Sequence, residues 1–400
     1  MKINVIDAIM GAGKTTSIIE RINNDHSDNK YIYITPFLTE VQRIKKQCKT
    51  KQFKEPINFG KGKLDSLHKM MYDGINIAST HSLFSTSTEE TIGLIKANNY
   101  ILVMDEVMDV IEPYPLKRDD LHLMLSNELI LVDDRGRVTW NPNKLHLETQ
   151  YDAFKEASLY GTLILVNETM LMWNFPTHIF NAFKEVYILT YLFNAQIQRY
   201  YYDLFDIDYE YYTINNGTII PVGNPDELSK YTDISHIKSL ITIVEEDKLN
   251  GIGDDKYALS STWFSKHADN NLINFLKKNV QSYFRYVAKA NSKDVLWTVF
   301  KSHEAKFKGR SYNKGFVSCN IRATNDYGDR HCLAYCVNIF LNPVVKKYFE
   351  KYNIKVEEEL YALSEILQWI WRSAIRNNES IIVYVPSSRM RRLLLDFLDN

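Results

Sequence analysis

A short glycine-containing segment near the start of the chain combines residue types that can hold a nucleoside triphosphate. It reads Ala-Ile-Met-Gly-Ala-Gly-Lys-Thr-Thr over residues 8–16, between an apolar strand-like stretch and a helix-like stretch. Backbone N–H groups of such a loop point at phosphates, and the N-terminus of the following helix adds positive potential. Lys14 can reach the β- and γ-phosphates, and the Thr15 hydroxyl can ligate Mg²⁺. The predicted nucleotide-binding residues are Ala8, Gly11, Ala12, Gly13, Lys14, Thr15 and Thr16.

A pair of adjacent carboxylates is expected to complete the same site. Asp105 and Glu106 follow the apolar run 100–104, which has the character of a buried strand. At the tip of a parallel strand, Asp105 would hold Mg²⁺ and Glu106 would orient and polarise the attacking water. An isolated Asp-Glu pair is more often a charged loop after a strand, but the glycine-containing loop upstream favours the catalytic interpretation.

The overall composition limits the classes of partner. With 48 basic and 49 acidic residues the net charge is −1, so binding to a polyanion must use local patches rather than a global field. The four cysteines match no zinc spacing and suit a reducing cytoplasm. The sequence has no apolar run of about 18 residues, and we expect no signal peptide before a loop that begins at residue 8. We therefore expect a soluble, cytoplasmic protein with no membrane partner.

Strand-like and helix-like segments alternate along most of the chain. The strands predicted in the first half are residues 3–6, 31–35, 75–79, 101–104, 162–167 and 186–189. Such alternation favours a parallel sheet covered on both faces, with ligands at the carboxyl ends of its strands. Residues 204–260 are turn-rich, and strand and helix alternation resumes after them in segments 295–300, 315–319, 332–340, 360–376 and 381–385. We therefore predict an α/β fold with two domains, residues 1–203 and 204–400.

Taken in order, these segments resemble the helicases of superfamilies 1 and 2, in particular the compact DEAD/DEAH-like helicases of tailed bacteriophages. Residues 8–16 and 105–108 are the most specific parts of a resemblance that covers nearly the whole chain. Ala8 stands where the strict loop pattern has Gly, a departure common in loops of the helicase type. The resemblance implies two tandem RecA-like P-loop NTPase domains with mostly parallel sheets, and ATP with Mg²⁺ in the cleft between them.

The resemblance also implies residues that contact nucleic acid. Segments 34–43 and 78–84 resemble helicase motifs that contact the nucleic-acid backbone, and segment 323–327 resembles one that faces the cleft. Hydroxyl groups and helix N-termini suit this role because they bind phosphate oxygens without reading sequence. From the residues alone, strand-end turns and helix caps remain the alternative. Thr190 occupies the place of the motif that couples ATP to this cleft. The implied nucleic-acid-binding residues are Thr35, Pro36, Thr80, His81, Thr324 and Asn325.

Residues 368–376 resemble the arginine motif that closes the ATP site from the second domain. Gln368, Arg372 and Arg376 are four residues apart, so on one helix they would form a single polar stripe. An arginine finger stabilises charge on the transferring phosphoryl group and contributes about 10³–10⁵ in rate. The usual pattern has its second arginine one position earlier than Arg376, so either arginine could reach the γ-phosphate. The alternative is a solvated basic helix face.

Local basic and aromatic clusters are further candidates for nucleic-acid contact. The basic runs 43–51 and 301–314 could contact phosphates, and the tyrosine clusters 200–202 and 209–212 could stack on bases. A solvated face is the alternative for the basic runs, and core or inter-domain packing is the alternative for the tyrosines. Arg389, Arg391 and Arg392 are ambiguous in the same way.

These observations predict an ATP hydrolase that moves along or unwinds nucleic acid. Single-stranded or forked DNA is the expected partner, in phage DNA replication or recombination, with replication proteins as candidate partners. The chain is expected to act as a monomer and to leave little room for an accessory wedge beyond its two motor domains. The alternative is a nucleotide-switched DNA-binding or loading protein without unwinding activity.

Overall fold

The computed structural model describes residues 3–58, 62–166, 170–268, 271–309, 311–320 and 326–399. Its strands are β1 (Ile3–Asp7), β2 (Lys30–Thr35), β3 (Phe53–Lys54), β4 (Asn76–Thr80), β5 (Tyr100–Asp105), β6 (Ile111–Pro113), β7 (Ile130–Val132), β8 (Val138–Trp140), β9 (Leu163–Val166), β10 (Met170–Asn174), β11 (Glu185–Thr190), β12 (Tyr209–Asn215), β13 (Thr218–Val222), β14 (Ile241–Ile243), β15 (Val295–Thr298), β16 (Cys332–Tyr335) and β17 (Ile381–Tyr384). Its α-helices are α1 (Lys14–Asn23), α2 (Leu38–Gln47), α3 (Lys63–Tyr72), α4 (His81–Phe84), α5 (Glu89–Asn98), α6 (Arg118–Ser126), α7 (Asp152–Leu159), α8 (Ile197–Leu204), α9 (Ile234–Leu240), α10 (Asp247–Asn250), α11 (Ser261–Lys266), α12 (Asn271–Ser282), α13 (Glu304–Phe307), α14 (Pro343–Lys351), α15 (Glu358–Ile370) and α16 (Ser388–Asp399).

The first half of the chain builds a sheet in the strand order β13-β12-β1-β11-β5-β2-β4-β3. Neighbouring strands are parallel except β13, which runs antiparallel to β12. The central strands β1, β5 and β11 are buried along almost their whole length, as expected for a parallel sheet with both faces covered. Because the strands are parallel, the carboxyl ends of β1, β2 and β5 lie at one edge. The predicted α/β class with a mostly parallel sheet is confirmed.

The hairpin β12-β13 extends the first sheet beyond the predicted domain boundary. β12 pairs in parallel with β1, and Asn216 and Gly217 connect it to β13 with φ angles of 49° and 77°. Positive φ at both positions is the geometry of the tight hairpin turn that Asn-Gly favours. Part of the turn-rich segment is therefore this hairpin, and the sheet continues to Val222. The predicted boundary between residues 203 and 204 falls too early.

Residues 111–173 form an accessory module between β5 and β11. Strands β6, β10 and β9 make a small antiparallel sheet, and β7 and β8 make a hairpin beside it. The module has its own core, which includes Met124, Trp140 and Phe154. The strand predicted at residues 162–167 is β9, so it belongs to this module rather than to the large sheet. The expectation that the chain leaves little room for an accessory wedge beyond its two motor domains is therefore wrong.

A second parallel sheet, in the order β14-β17-β16-β15, forms in the second half of the chain. Apolar clusters cover both of its faces, and α15 and α16 pack on one of them. Two predicted elements differ from those in the structure. Segment 315–319 forms only a single bridge, between Phe316 and Trp297, and the predicted helix 360–376 ends at Ile370.

Helix α14 follows the second sheet in sequence but packs against the core of the first half. Tyr348 and Phe349 are fully buried in the cluster that also contains Tyr200, and the Phe349 and Tyr200 rings lie 5.5 Å apart. The Tyr348 hydroxyl donates to Asn174 Oδ1 at 3.2 Å. Residues 200–202 are all fully buried, so packing, rather than base stacking, explains this tyrosine cluster.

Candidate functional site

The loop between β1 and α1 has the backbone of an anion cradle. Gly11 and Gly13 have φ angles of 84° and 91°, a region that residues with side chains rarely adopt, so the glycines permit this loop path. Gly13 is the N-cap of α1 and has no side chain to cap the first-turn N–H groups. Lys14 Nζ donates to the carbonyl oxygens of Ala8 and Ile9, which places its ammonium inside the loop. Loop amides, helix N-terminus and ammonium can therefore act together on phosphate oxygens.

The two predicted carboxylates lie beside this loop. The Thr15 hydroxyl donates to Asp105 Oδ1 at 3.5 Å, and the Tyr33 hydroxyl donates to Asp105 Oδ2 at 3.4 Å. Burial, reinforced by the neighbouring charge of Glu106, raises the pKa of Asp105 to about 7. Glu106 has φ of 69°, and its N–H donates to the Leu189 carbonyl at 2.9 Å. A non-glycine residue in this conformation is strained, and such strain concentrates at functional sites.

Residues of the second half reach the same cleft, which has a volume of about 280 Å³. We call it the nucleotide cleft; it is lined by Met10, Gly11, Gly13, Lys14, Thr15, Thr16, Glu40, Arg43, Asp105, Glu106, Arg372 and Arg376. Arg372 is buried, and burial lowers the pKa of Arg376. Burial also lowers the pKa of Lys14. The structure thus brings both predicted arginines together with the glycine-containing loop and the carboxylates.

The predicted single polar stripe of the arginine motif is wrong. Helix α15 ends at Ile370, and Ser373 adopts an extended backbone before a short 3₁₀ helix, Ala374–Asn377. Arg372 therefore lies in a turn, and Arg376 in the 3₁₀ helix. Gln368 is buried within α15 and is not among the residues that line the nucleotide cleft.

Helix α2 contributes an ion pair to the nucleotide cleft, and one of its two residues was expected to have a different role. Arg43 Nη1 donates to Glu40 Oε2 at 2.9 Å, and both residues line the nucleotide cleft. In the sequence, Arg43 belongs to the basic run 43–51, which is a candidate for contact with DNA phosphates. Two further cations of that run are also engaged, since Lys45 pairs with Glu55 at 3.5 Å and the Lys51 ammonium donates to loop carbonyls. The sequence did contain a signal for this ion pair, because Glu40 and Arg43 are three residues apart and follow a buried strand.

Asp7 is a second residue that the sequence did not single out. Its carboxylate accepts the N–H groups of Leu192 at 2.9 Å and Phe193 at 2.7 Å. Burial outweighs these hydrogen bonds and raises the pKa of Asp7 to about 6. The Ala8 N–H donates to the Thr190 carbonyl at 3.1 Å. The start of the phosphate loop is therefore joined directly to the segment that contains Thr190.

Some of the predicted nucleic-acid residues line a separate cleft of about 640 Å³. We call it the second cleft; it is lined by Pro36, Phe37, His81, Ser82, Ser85, Met108, Asp109, Glu112, Trp173, Asn320, Tyr361 and Glu365. These residues come from the first sheet, the accessory module and the second half of the chain. The charged side chains of this lining are three carboxylates, together with the titratable His81.

Two other predicted nucleic-acid residues, Thr35 and Thr80, do not line this cleft. Thr35 is fully buried at the end of β2, so its hydroxyl does not form part of the surface, contrary to the expectation. Thr80 is the N-cap of α4 and lies outside the lining of the second cleft. Thr324 and Asn325 lie outside the described residues.

The nucleotide cleft fits a magnesium ion carried by a nucleotide better than a protein-held metal. Among the described residues, no group of three or more His, Cys, Asp or Glu side chains is arranged to hold a metal. Mg²⁺ typically takes one or two protein oxygens and completes its shell with phosphates and water. The Thr15 hydroxyl and the Asp105 carboxylate, 3.5 Å apart, are hard oxygen donors of this kind.

Within the described residues no helix is both long and apolar enough to span a membrane.

Two family models match this chain. The model of the YonV middle domain matches residues 111–173, and that of the YonV C-terminal Rossmann-like domain matches residues 235–398. The SPbeta prophage-derived protein YonV of Bacillus subtilis (strain 168) is 44% identical over 412 residues, which cover 100% of this chain and 99% of YonV. The chain belongs to the YonV family. In this YonV-family chain, the middle-domain match coincides with the accessory module, and the C-terminal match spans α9 to α16.

Solved structures of helicases are among the structural neighbours of this chain. An XPD helicase is 11% identical, with 98% of this chain and 95% of that chain covered and a TM-score of 0.47. Xpd4 of S. tokodaii is 12% identical, with 99% and 94% covered and a TM-score of 0.44. The DUF1998 helicase MrfA, bound to DNA and AMPPNP, is 11% identical, with 100% of this chain and 48% of MrfA covered and a TM-score of 0.37. The expected arrangement of two mostly parallel sheets, with a cleft lined from both halves of the chain, is confirmed by the structure itself.

Proposed function

We propose that this protein hydrolyses ATP and uses the cycle to move along or unwind DNA. The observation that carries the proposal is the composition of the nucleotide cleft. Lys14, Thr15 and Asp105 from the first half share it with Arg372 and Arg376 from the second. A nucleotide that contacts both sets would join the two halves, which is the requirement for converting hydrolysis into movement.

Each side chain of the cleft has a role in this proposal. Lys14 would bind the β- and γ-phosphates, and Thr15 with Asp105 would hold Mg²⁺, which neutralises phosphate charge when bound. Glu106 would orient the attacking water. Arg372 and Arg376 would stabilise charge on the γ-phosphate as it transfers, and either could act as the arginine finger.

The coupling to nucleic acid would follow from the closing of the cleft. ATP favours the closed arrangement because only there does the γ-phosphate contact the arginines of the second half. Hydrolysis removes that difference in affinity. The second cleft is lined by the same two halves, so its width would change with the nucleotide state. If the second cleft holds and releases the nucleic-acid strand in turn, the protein would step along the strand in one direction.

The substrate and setting are also proposals. Single-stranded or forked DNA is the preferred partner, and the accessory module gives the chain a body that could separate strands. The prophage origin in the name of the related YonV supports a phage role, in replication or recombination, within the host cytoplasm. We propose that one chain suffices, because both halves of the nucleotide cleft come from the same chain.

One observation favours a second candidate function, a nucleotide-switched loading protein that does not unwind DNA. The charged side chains of the second cleft are Asp109, Glu112 and Glu365, which repel rather than attract phosphates. A protein of this kind would bind ATP and a partner without stepping. Single-stranded DNA would then leave its ATP turnover unchanged.

Hydrolysis by wild-type and Lys14→Ala protein tests the ATPase. Loss of the ammonium should abolish turnover because Lys14 places its positive charge inside the loop, hydrogen-bonded to the Ala8 and Ile9 carbonyls. Lys96→Ala, an exposed lysine on α5, is the matched control. Turnover that persists in Lys14→Ala would end the ATPase proposal.

Two arginine variants test the contribution of the second half. Arg372→Ala and Arg376→Ala should each still bind nucleotide but slow its turnover, whereas Arg392→Ala on α16, outside the cleft, should bind and hydrolyse nucleotide like the wild type. Wild-type rates in both cleft variants would contradict the shared site. Displacement of a labelled strand from 3′-tailed, 5′-tailed and forked substrates then separates the helicase from the loading protein.

A further inference from the structure

The second half carries a groove of about 970 Å³ that the nucleotide cycle does not use. It lies where the segments after β15 and β16 approach residues 255–267, and its walls include Tyr257, Trp263 and Phe340. We call it the aromatic groove. Its volume is at the upper end of the range for ligand pockets.

The aromatic faces are held in place by buried polar contacts. Asn338 donates to the carbonyls of Lys256 and Ala258, each at 3.0 Å, and its N–H donates to the Leu259 carbonyl at 2.8 Å. These bonds join the two loops that form the walls. Leu259 has φ of 61°, which is strained for a residue with a side chain. The two walls are therefore fixed before any ligand arrives.

Arg389 supports the groove from beneath. It is only 6% exposed, and its guanidinium lies 4.2 Å from the centre of the Phe340 ring. It donates to Asn338 Oδ1 at 2.9 Å, to the Ile339 carbonyl at 2.7 Å and to Glu359 Oε1 at 2.9 Å. The sequence left Arg389 as a possible DNA contact. The structure gives it a positioning role for the loop that presents Phe340.

The exposed part of the groove combines flat rings with lysines. Tyr257 is 58% exposed, and its ring lies 5.7 Å from that of Phe340. Lys256 Nζ lies 5.4 Å from the centre of the Tyr257 ring, and Lys266 is exposed on the same lining.

The acidic residues of this lining are largely compensated. Glu358 pairs with Lys346 at 3.1 Å, and Glu359 pairs with Arg389. Asp255 accepts the N–H of Tyr257 at 2.8 Å. Once Glu358 and Glu359 are paired, Lys256 and Lys266 outnumber the one remaining carboxylate, Asp255, and can face an anionic ligand.

We propose that the aromatic groove binds a single strand of nucleic acid, with bases stacked on Tyr257 and phosphates contacted by Lys256 and Lys266. Stacking of bases on aromatic side chains beside basic residues is how proteins hold single strands without reading sequence. This inference rests on the proposed function, and it places the main nucleic-acid contact in the second half.

The position of the groove fits a strand that also enters the second cleft. Glu358 and Glu359 line the groove, and Tyr361 and Glu365 line the second cleft, all on helix α15. Residues 358 and 365 are about 10 Å apart along a helix axis. A strand gripped in the groove would thus emerge beside the second cleft.

The test is the affinity of the full-length protein for a fluorescently labelled oligothymidylate, measured by anisotropy at several salt concentrations. Tyr257→Ala should weaken binding by about fivefold or more, and Tyr257→Phe should retain it, because a phenyl ring still stacks. Lys266→Ala should lower the slope of log affinity against log salt by about 0.7, the value for one phosphate contact in a single strand.

Tyr286→Ala is the matched control. Tyr286 is 66% exposed and has the Arg285 guanidinium 5.3 Å from its ring centre, the same pairing of ring and cation as Tyr257 with Lys256, but outside the groove. It should bind like wild type, and thermal unfolding should show that every variant is folded.

The outcomes separate the two proposals. Wild-type affinity in Tyr257→Ala and Lys266→Ala alike would overturn the groove, including the case in which it takes a protein segment instead. Absence of oligonucleotide binding by the wild type would overturn the proposed function as well.

Discussion

At the residue scale, the nucleotide cleft balances its charges before a nucleotide arrives. Lys14 and the arginines face Glu40, Asp105 and Glu106 across a space of about 280 Å³. Triphosphate oxygens would compete with these carboxylates for the same cations, since charge-assisted contacts to phosphate are strong. Arg43, which pairs with Glu40 at 2.9 Å, is the cation whose role is least expected from the sequence.

We expect Arg43→Ala to slow ATP hydrolysis by about tenfold or more, because one lost contact to a charged group costs about 1.5–3 kcal/mol. Steady-state turnover with saturating ATP is the measurement. Lys46→Ala removes an exposed cation from the same helix outside the cleft and should leave turnover unchanged. Equal effects of the two substitutions would show that Arg43 acts only through the general charge of α2.

Asp105 should make the stability of the nucleotide-free protein depend on pH. Its pKa is about 7 in the folded protein, against 3.8 for the ordinary group, so the folded state retains a proton that the unfolded chain loses. The stability that this proton contributes is fully present below about pH 4 and is lost as pH rises through about 7. Asp105→Asn removes the charge that burial disfavours.

The unfolding midpoint of Asp105→Asn should therefore exceed that of the wild type by several degrees at about pH 8 and by much less at about pH 5. Thermal unfolding of both proteins across this range is the measurement. A difference that does not vary with pH would mean that Asp105 ionises freely in the folded protein.

The residues that the sequence could identify are those whose roles depend on local spacing. Lys14 and Thr15 follow from a continuous loop pattern, and Asp105 follows from a strand with a carboxylate at its tip. Arg43 depends instead on how α2 is oriented over the sheet, which no local pattern encodes. Gln368 and Arg376 were linked by helical spacing, and that link failed because the helix ends between them.

At the element scale, helix α14 connects the two halves of the chain. Its buried face packs against Tyr200 and the segment around Asn174, so the core of the first half includes residues from the second. The Tyr200 hydroxyl also accepts the Glu357 N–H at 2.8 Å. A relative motion of the two sheets must therefore take place outside α14.

Phe349→Ala should destabilise the protein by about 3–5 kcal/mol, the usual cost of removing a fully buried phenyl ring. Chemical denaturation is the measurement. Phe275→Ala is the matched control, because Phe275 is 47% exposed on α12 and should have an effect below about 0.5 kcal/mol. A small effect of Phe349→Ala would mean that α14 docks only loosely.

The elements that the sequence misplaced share a physical cause. Residues 162–167 were recognised as a strand, but period and propensity do not say which sheet a strand joins, and β9 joins the accessory module. The hairpin β12-β13 lies in a segment rich in Asn, Gly and Pro, and composition cannot distinguish a tight hairpin from a linker.

At the scale of the whole molecule, the two halves do not behave as independent bodies joined by a linker. Leu341, Val345, Tyr348 and Phe349 complete a core that begins with β1. Nucleotide-driven movement must therefore leave this helix docked and pivot in the segments on either side of it. Residues 341–342 and 352–357, which flank α14 outside regular helices and strands and lie beyond the fixed loop around Asn338, are where we expect that movement.

Because α14 completes the core of the first half, we can predict how the chain behaves when it is expressed as two fragments. Residues 1–222, expressed alone, contain the whole first sheet but lack α14, so the apolar surface around Tyr200 would be exposed to water. We expect this fragment to bind a hydrophobic dye, to unfold without a sharp transition and to bind ATP poorly. Co-expression with residues 223–400 should restore a single cooperative transition and the nucleotide cleft, because the second fragment supplies both α14 and the two arginines. A first fragment that unfolds cooperatively by itself would show that α14 is an accessory to a complete domain, and the two halves could then separate freely during the cycle.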